Sequence, residues 1–187
     1  MTDKEPSPVG RRIYVVGNTC SGKSTVGHKI ANKTGIPFVE LDAINFLPNW
    51  IGLNEHHPRL FQAKIIDATK SDSWVIAGSY EEHVRATVWE DINLIIWLDL
   101  PILVILGRLI KRSWQRWRTH ELLWGTNYEN FFKHFKIWSN DSLLFWAVTQ
   151  HAKKRRRMLA VIRENSGLKI TRLRSSKEIE SFIESFN

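Results

Sequence analysis

The chain has 187 residues with 27 Lys/Arg, 19 Asp/Glu and one cysteine, a length that suits one α/β domain with a full core and an insertion. A single cysteine excludes a disulfide framework and a cysteine-based zinc site, so a reducing, cytoplasmic setting is expected. Residues 1–100 carry 10 Lys/Arg and 12 Asp/Glu (net −2), whereas residues 101–187 carry 17 and 7 (net +10), which points to a polyanionic partner for the second half.

Met1 to Gly10 is polar with two prolines and reads as a disordered lead-in rather than a signal peptide. The apolar run after Arg11-Arg12 is only Ile13 to Val16, too short for a secretion signal and right for a buried parallel strand. That strand runs into Gly17-Asn18-Thr19-Cys20-Ser21-Gly22-Lys23-Ser24-Thr25, which has the Gly-x4-Gly-Lys-Ser spacing of a phosphate-binding loop. A helix over about Lys23 to Lys33 follows and stops at Thr34-Gly35. Strand, loop and helix in this order are the context the motif requires. The glycines let successive N–H groups converge on one oxyanion, and the helix start adds its own unsatisfied N–H groups and dipole. Lys23 is expected on the β- and γ-phosphates of ATP and the Ser24 hydroxyl on Mg²⁺. Cys20 contributes its backbone N–H and is otherwise a small filler.

Ile36 to Asp42 reads as the second strand, and Ala43 to Pro58 as irregular, since Pro48, Asn49, Gly52 and Asn54 break any period. Arg59 to Lys70 has helical spacing, Trp74 to Gly78 is a third buried strand, and Glu81 to Trp89 is helical. Asn93 to Leu98 is the fourth strand, and Pro101 opens a helix to Arg112. Asp99, Pro101 and Arg108 interrupt the apolar stretch from Ile92 to Ile110, so a strand plus helix is preferred to a membrane span. From about 113 to 147 the texture changes to tryptophans (Trp114, Trp117, Trp124, Trp138, Trp146) among Arg116, Arg118, His120, Lys133 and Lys136, with no strand signal. This stretch reads as a helical insertion in a single domain over 11–187, continuing as a long helix to Glu164. Leu168 to Leu173 is the fifth strand and Lys177 to Phe186 a closing amphipathic helix. Strands alternating with helices give a parallel sheet covered on both faces, with ligands beyond the carboxyl ends of its strands.

The phosphate loop, Glu40-Leu41-Asp42, Trp74 to Tyr80 through Arg85, Trp97-Leu98-Asp99-Leu100-Pro101 and Arg108-x3-Arg112 together resemble small P-loop kinases of the adenylate kinase and shikimate kinase type. Within that group the chain is most similar to the DNA topology modulation proteins, also called adenylate kinase-like ATPases. The resemblance implies a five-stranded parallel sheet in order 2-3-1-4-5, use of ATP and Mg²⁺, and a helical lid at about 113–147. It implies that Arg108 stacks on adenine and Arg112 neutralises the transferring phosphoryl group. Both lie on one helical face at i and i+4, and guanidinium suits both tasks. It also implies that Asp42 orients or deprotonates an acceptor hydroxyl, that Glu40 supports Mg²⁺ through water, and that Tyr80 and Arg85 bind the acceptor. The structural alternative for Asp42 is a strand-end carboxylate capping the next turn. One departure matters: the group keeps Asp-Gly at the end of the third strand, and this chain has Ala77-Gly78. Asp42, Glu40 or Asp99 is left to support Mg²⁺. Three functions follow: a kinase acting on a small or nucleotide acceptor, a nucleic-acid-associated ATPase, and a nucleotide-binding regulator with weak turnover.

Overall fold

Short apolar runs separated by helices assemble into one parallel sheet in a computed structural model that describes residues 12–125, 127–128, 143–164 and 167–186. In chain order the strands are β1 (Arg12–Gly17), β2 (Phe38–Glu40), β3 (Trp74–Ala77), β4 (Leu94–Leu98), a small pair β5 (Leu122–Leu123) and β6 (Asn127–Tyr128), and β7 (Lys169–Leu173). The main sheet has the order β2-β3-β1-β4-β7 and is parallel throughout, the arrangement expected from the sequence once its five strands are counted in turn. The helices are α1 (Lys23–Thr34), α2 (Leu41–Asn45), α3 (Leu53–His56), α4 (Pro58–Ala68), α5 (Glu81–Arg85), α6 (Ile102–Thr119), α7 (Leu143–Glu164) and α8 (Ser176–Glu184).

Strand β1 sits between β3 and β4, so both of its edges are paired, and helices cover both of its faces. Ile13 and Val15 point into one core with Val26, Ile30, Ile96, Ile105, Leu109 and Ile179. Tyr14 and Val16 point into the other with Leu53, Phe61, Ile65, Ile76, Ile95 and Met158. Two-residue periodicity therefore splits one apolar run between two helical layers. Each fully buried side chain of this size contributes about 1.5–3 kcal/mol, which makes β1 the rigid support of the loop that follows it. Gly35 ends α1 in a left-handed conformation (φ 70°).

Four expectations change. The second strand is only Phe38–Glu40, and Asp42 lies in the first turn of α2 rather than at the strand's end. The stretch expected to be irregular folds into α2, a 3₁₀ turn over Pro48–Trp50, and α3. Helix α6 does not stop at Arg112 but continues to Thr119, because Ile105, Leu109 and Ser113 keep one buried stripe at four-residue spacing. Within the expected helical insertion stands a two-stranded antiparallel hairpin, Leu122↔Tyr128 and Leu123↔Asn127. Residues 129–142 of that insertion, and the expected lead-in over 1–10, lie outside the described residues. Among the described residues no helix is long and apolar enough to cross a membrane.

Candidate active site

The loop after β1 has the backbone its glycines were expected to supply. A Cβ on Gly17 would lie 2.6 Å from Ser21 Oγ and 2.9 Å from the Leu98 carbonyl, so no side chain fits. Gly22 caps α1 from the left-handed region (φ 99°). Asn18 anchors the turn: its Oδ1 accepts from the Thr19 N–H (2.8 Å), and its Nδ2 donates to the Ala147 carbonyl of α7 (3.0 Å) and lies 3.3 Å from His151 Nδ1. Lys23 donates to the Asn18 carbonyl (2.9 Å), holding its ammonium over the loop. Burial pulls the Lys23 pKa below the usual lysine value, and the Arg112 charge adds to that, against the opposing pull of Asp42, Cys20 and Glu40. Thr25 faces solvent on the first turn of α1.

Two polar groups here are buried without a hydrogen-bond partner among the described residues: Ser21 Oγ and Arg112 Nε. Orphaned buried donors cost stability unless something polar meets them. Arg108 lies on the same face of α6, one turn earlier. Its guanidinium donates to the Ser21 carbonyl and to Ser176 Oγ, both at 2.9 Å, and so bridges the loop to the start of α8. Arg108 thus reaches the loop directly, and the charge of Arg112, one turn further along the same face, is felt at Lys23.

The absent third-strand aspartate has a neighbour in its place. Ala77 and Glu40 are register partners in the β2–β3 ladder, so the Glu40 carboxylate stands level with the buried Ala77 on the adjacent strand. Ser24 Oγ donates to Glu40 Oε1 at 2.5 Å, and Trp124 Nε1 donates to Oε2 at 3.3 Å. Asp99 does not share this role. It accepts from Arg172 Nε (2.9 Å) and Arg155 Nε (3.3 Å), with Arg172 also laid over the Trp97 ring. The sequence left Asp99 open as a metal-supporting carboxylate; the structure gives it to an ion pair at the end of β4. Among the described residues no cluster of three or more His, Cys, Asp or Glu is poised to hold a metal alone. The donor set instead suits a triphosphate with a hard divalent cation: loop N–H groups, an ammonium, two unpartnered buried donors, and a hydroxyl–carboxylate pair.

Beside the loop lies a cavity of about 190 Å³, walled by Tyr14, Gly78, Tyr80, Glu81, His83 and Lys154 among others. Tyr80 donates to Asp42 Oδ1 at 2.7 Å, which joins two of the three expected acceptor residues into one unit. Burial, then the Asp42 charge, raises the Tyr80 pKa, so its phenol stays a donor. Arg85 is engaged elsewhere: it pairs with Glu81 (3.0 Å), lies 4.3 Å over the Trp89 ring, and does not line the cavity. Lys154 of α7 was missed by sequence reading. Burial first, then the Lys23 charge, pushes its pKa down to about 6. Only its place within the basic run 153–157 hinted at it, and that run reads as a solvated face. Asn18, His151 and Lys154 tie α7 to the site across more than 120 residues of sequence.

No protein-family model matches the chain. Among curated proteins it is similar to the shikimate kinase of Gloeobacter violaceus, at 34% identity over 54% of this chain and 62% of that one. A second curated shikimate kinase, from Nostoc, is 28% identical, and the chain spans about three fifths of the length of both. Among solved structures it is similar to a shikimate kinase from Bacteroides thetaiotaomicron (17% identity, 94% of this chain and 95% of that one, TM-score 0.54). It is similar also to a gluconokinase from Sinorhizobium meliloti (19%, 92% and 87%, TM-score 0.53). At these identities the structural likeness shows the fold alone, a five-stranded parallel sheet between helical layers.

Proposed function

We propose that the protein is a kinase that transfers the γ-phosphoryl group of ATP to a small-molecule acceptor. The observation that carries this reading is the adjacency of two sites, the phosphate loop with Lys23, Arg108 and Arg112, and the cavity lined by Gly17, Asn18 and Tyr80, whose phenol donates to Asp42. Similarity to shikimate kinases supports it.

On this reading Lys23 and the loop N–H groups from Gly17 to Ser24 bind the phosphates, and Arg108 clamps the nucleotide side of the loop. Ser24 and Glu40 would hold Mg²⁺, which when bound would offset the charge of the phosphates. The acceptor hydroxyl oxygen forms a bond to the γ-phosphorus while the bond from that phosphorus to the β-bridging oxygen breaks. The hydroxyl proton passes to Asp42, and ADP leaves with the bridging oxygen. Arg112 meets the charge that spreads over the transferring group, and its unpartnered Nε gains its partner there. The cavity, about 190 Å³, falls below the roughly 300–1,000 Å³ of pockets for larger ligands, which favours an acceptor of simple metabolite size. We take residues 11–187 as one kinase domain acting in the cytoplasm, with an insertion at about 113–147. Within these kinases we assign it nearest the DNA topology modulation type, on the order of its motifs.

The test is a turnover screen of purified protein with ATP-Mg²⁺ against sugars, hydroxy acids, nucleosides and nucleoside monophosphates. Acceptor-dependent ADP release supports the reading; ADP release dependent on nucleic acid alone overturns it. The second reading, a nucleic-acid-associated ATPase, is favoured by the exposed run Lys153, Arg155, Arg156 and Arg157 on α7. It requires oligonucleotide binding that weakens steeply with salt.

A further inference from the structure

Trp124 follows β5 with its backbone in the left-handed region (φ 48°), an uncommon place for a bulky side chain. Across from it Asn49 and Trp50 are also left-handed (φ 62° and 60°). The two indoles meet edge-on at 5.7 Å between ring centroids. Each also packs on Phe46, Trp124 stacked at 5.4 Å and Trp50 edge-on at 5.3 Å. Polar contacts fix the same joint: the Trp50 N–H donates to Asn127 Oδ1 (2.8 Å), Trp50 Nε1 donates to the Tyr128 carbonyl (3.1 Å), and Asn127 Nδ2 donates to the Leu47 carbonyl (3.1 Å). The β5–β6 hairpin is thus fastened to the segment 46–52, which leads from Asp42 to Asn54 at the cavity. Strained backbone persists only where surrounding contacts over-determine it, and here those contacts aim one donor, Trp124 Nε1, out of the joint at Glu40 Oε2.

We infer that Trp124 is a positioning residue that holds the Glu40 carboxylate for the metal and couples it to the acceptor-side segment 46–52. The inference rests on the kinase reading of Ser24 and Glu40. With Oε2 engaged by the indole, Oε1 is directed at Ser24 Oγ, so the two contacts together set the orientation of the carboxylate. Loss of a group that orients a metal ligand in this way typically costs about 10–100-fold in metal affinity.

Trp124→Phe keeps an aromatic ring against Phe46 and Trp50 and deletes the donor. The measurement is calorimetric binding of a non-hydrolysable ATP analogue to wild type, Trp124→Phe, Glu40→Gln and Lys23→Ala, each with and without Mg²⁺. Trp124→Phe is expected to bind the analogue as wild type does without Mg²⁺, and to need about 10-fold more Mg²⁺ for the metal-dependent gain. A second readout is the ¹⁹F resonance of 5-fluorotryptophan at position 124, identified by its loss in Trp124→Phe. It should move when Mg²⁺ is added to the nucleotide complex, and stay still in Glu40→Gln. Equal weakening with and without Mg²⁺ would mean Trp124 is packing only and would overturn the inference. So would an unchanged Mg²⁺ requirement with a static resonance. Failure of the kinase reading itself would show separately, as Lys23→Ala binding the analogue like wild type.

Discussion

Replacing Arg112 with leucine should stabilise the protein and disable it. Arg112 Nε is buried without a partner among the described residues, an arrangement that costs about 1–3 kcal/mol. Its charge also opposes that of Lys23, whose pKa it lowers. Leucine keeps most of the aliphatic packing of the arginine stem on α6 and removes both penalties. A gain of about 1 kcal/mol follows, or about 2–4 °C in Tm for a domain of this size. On the reaction side, an arginine that meets the transferring phosphoryl group is worth on the order of 10³-fold or more in kcat, about 4 kcal/mol of barrier. Because that contact forms mainly in the transition state, ATP affinity should change by no more than about threefold. The assay pairs thermal unfolding with ADP release on the acceptor from the screen, or basal ATP hydrolysis if none is found. Arg112→Lys should recover little of the rate, since a point charge does not reproduce the guanidinium fork. If Arg112→Leu turns over within about threefold of wild type, the transition-state role is wrong. If it unfolds at markedly lower temperature, the orphaned donor is no strain on the fold.

Lys154 gives a pH signature. Its folded pKa of about 6 lies below the roughly 10.4 of an unfolded lysine. The unfolded chain therefore binds more protons between about pH 6 and pH 10, and stability should rise with pH across that window. Lys154→Met should flatten the rise in chemical-denaturation curves. Anion binding beside Lys154 should restore its proton, so calorimetry at pH 7.5 in two buffers should reveal proton uptake that Lys154→Met lacks. Tyr80→Phe deletes the 2.7 Å bond to Asp42. A bond to a charged group contributes about 1.5–3 kcal/mol, so kcat/KM for the acceptor should fall at least about tenfold while nucleotide affinity holds.

The nucleotide side was legible because its geometry is local. Strand, glycine loop and helix lie within 23 contiguous residues, and Arg108 and Arg112 need only the four-residue period of one helix. The five buried strands also came through, since each is a distinct apolar run, whereas their order was implied only by the resemblance to small P-loop kinases. What stayed hidden depends on register or on distance. That Glu40 stands level with Ala77 follows from the β2–β3 pairing, which no periodicity reveals. Asp42 was assigned to a strand because α2 has five residues, fewer than an amphipathic period needs to show itself. The same limit hid α3 and the two-residue strands β5 and β6. Asp99 looked available until β7 brought Arg172 beside it. Lys154 was indistinguishable in sequence from its solvated neighbours, because only the packing of α7 over the loop buries it.

The central claim is that the loop from Gly17 to Thr25 binds ATP through Lys23, and a titration tests it most directly. ATP is added with Mg²⁺ to wild type and to Lys23→Ala, after circular dichroism has shown both to be folded. Lys23 makes one loop hydrogen bond and is held against the cost of burying its charge, so its removal should leave the fold intact. The account predicts saturable binding by wild type and loss of most of that affinity in Lys23→Ala. Wild-type affinity in the folded mutant would contradict it.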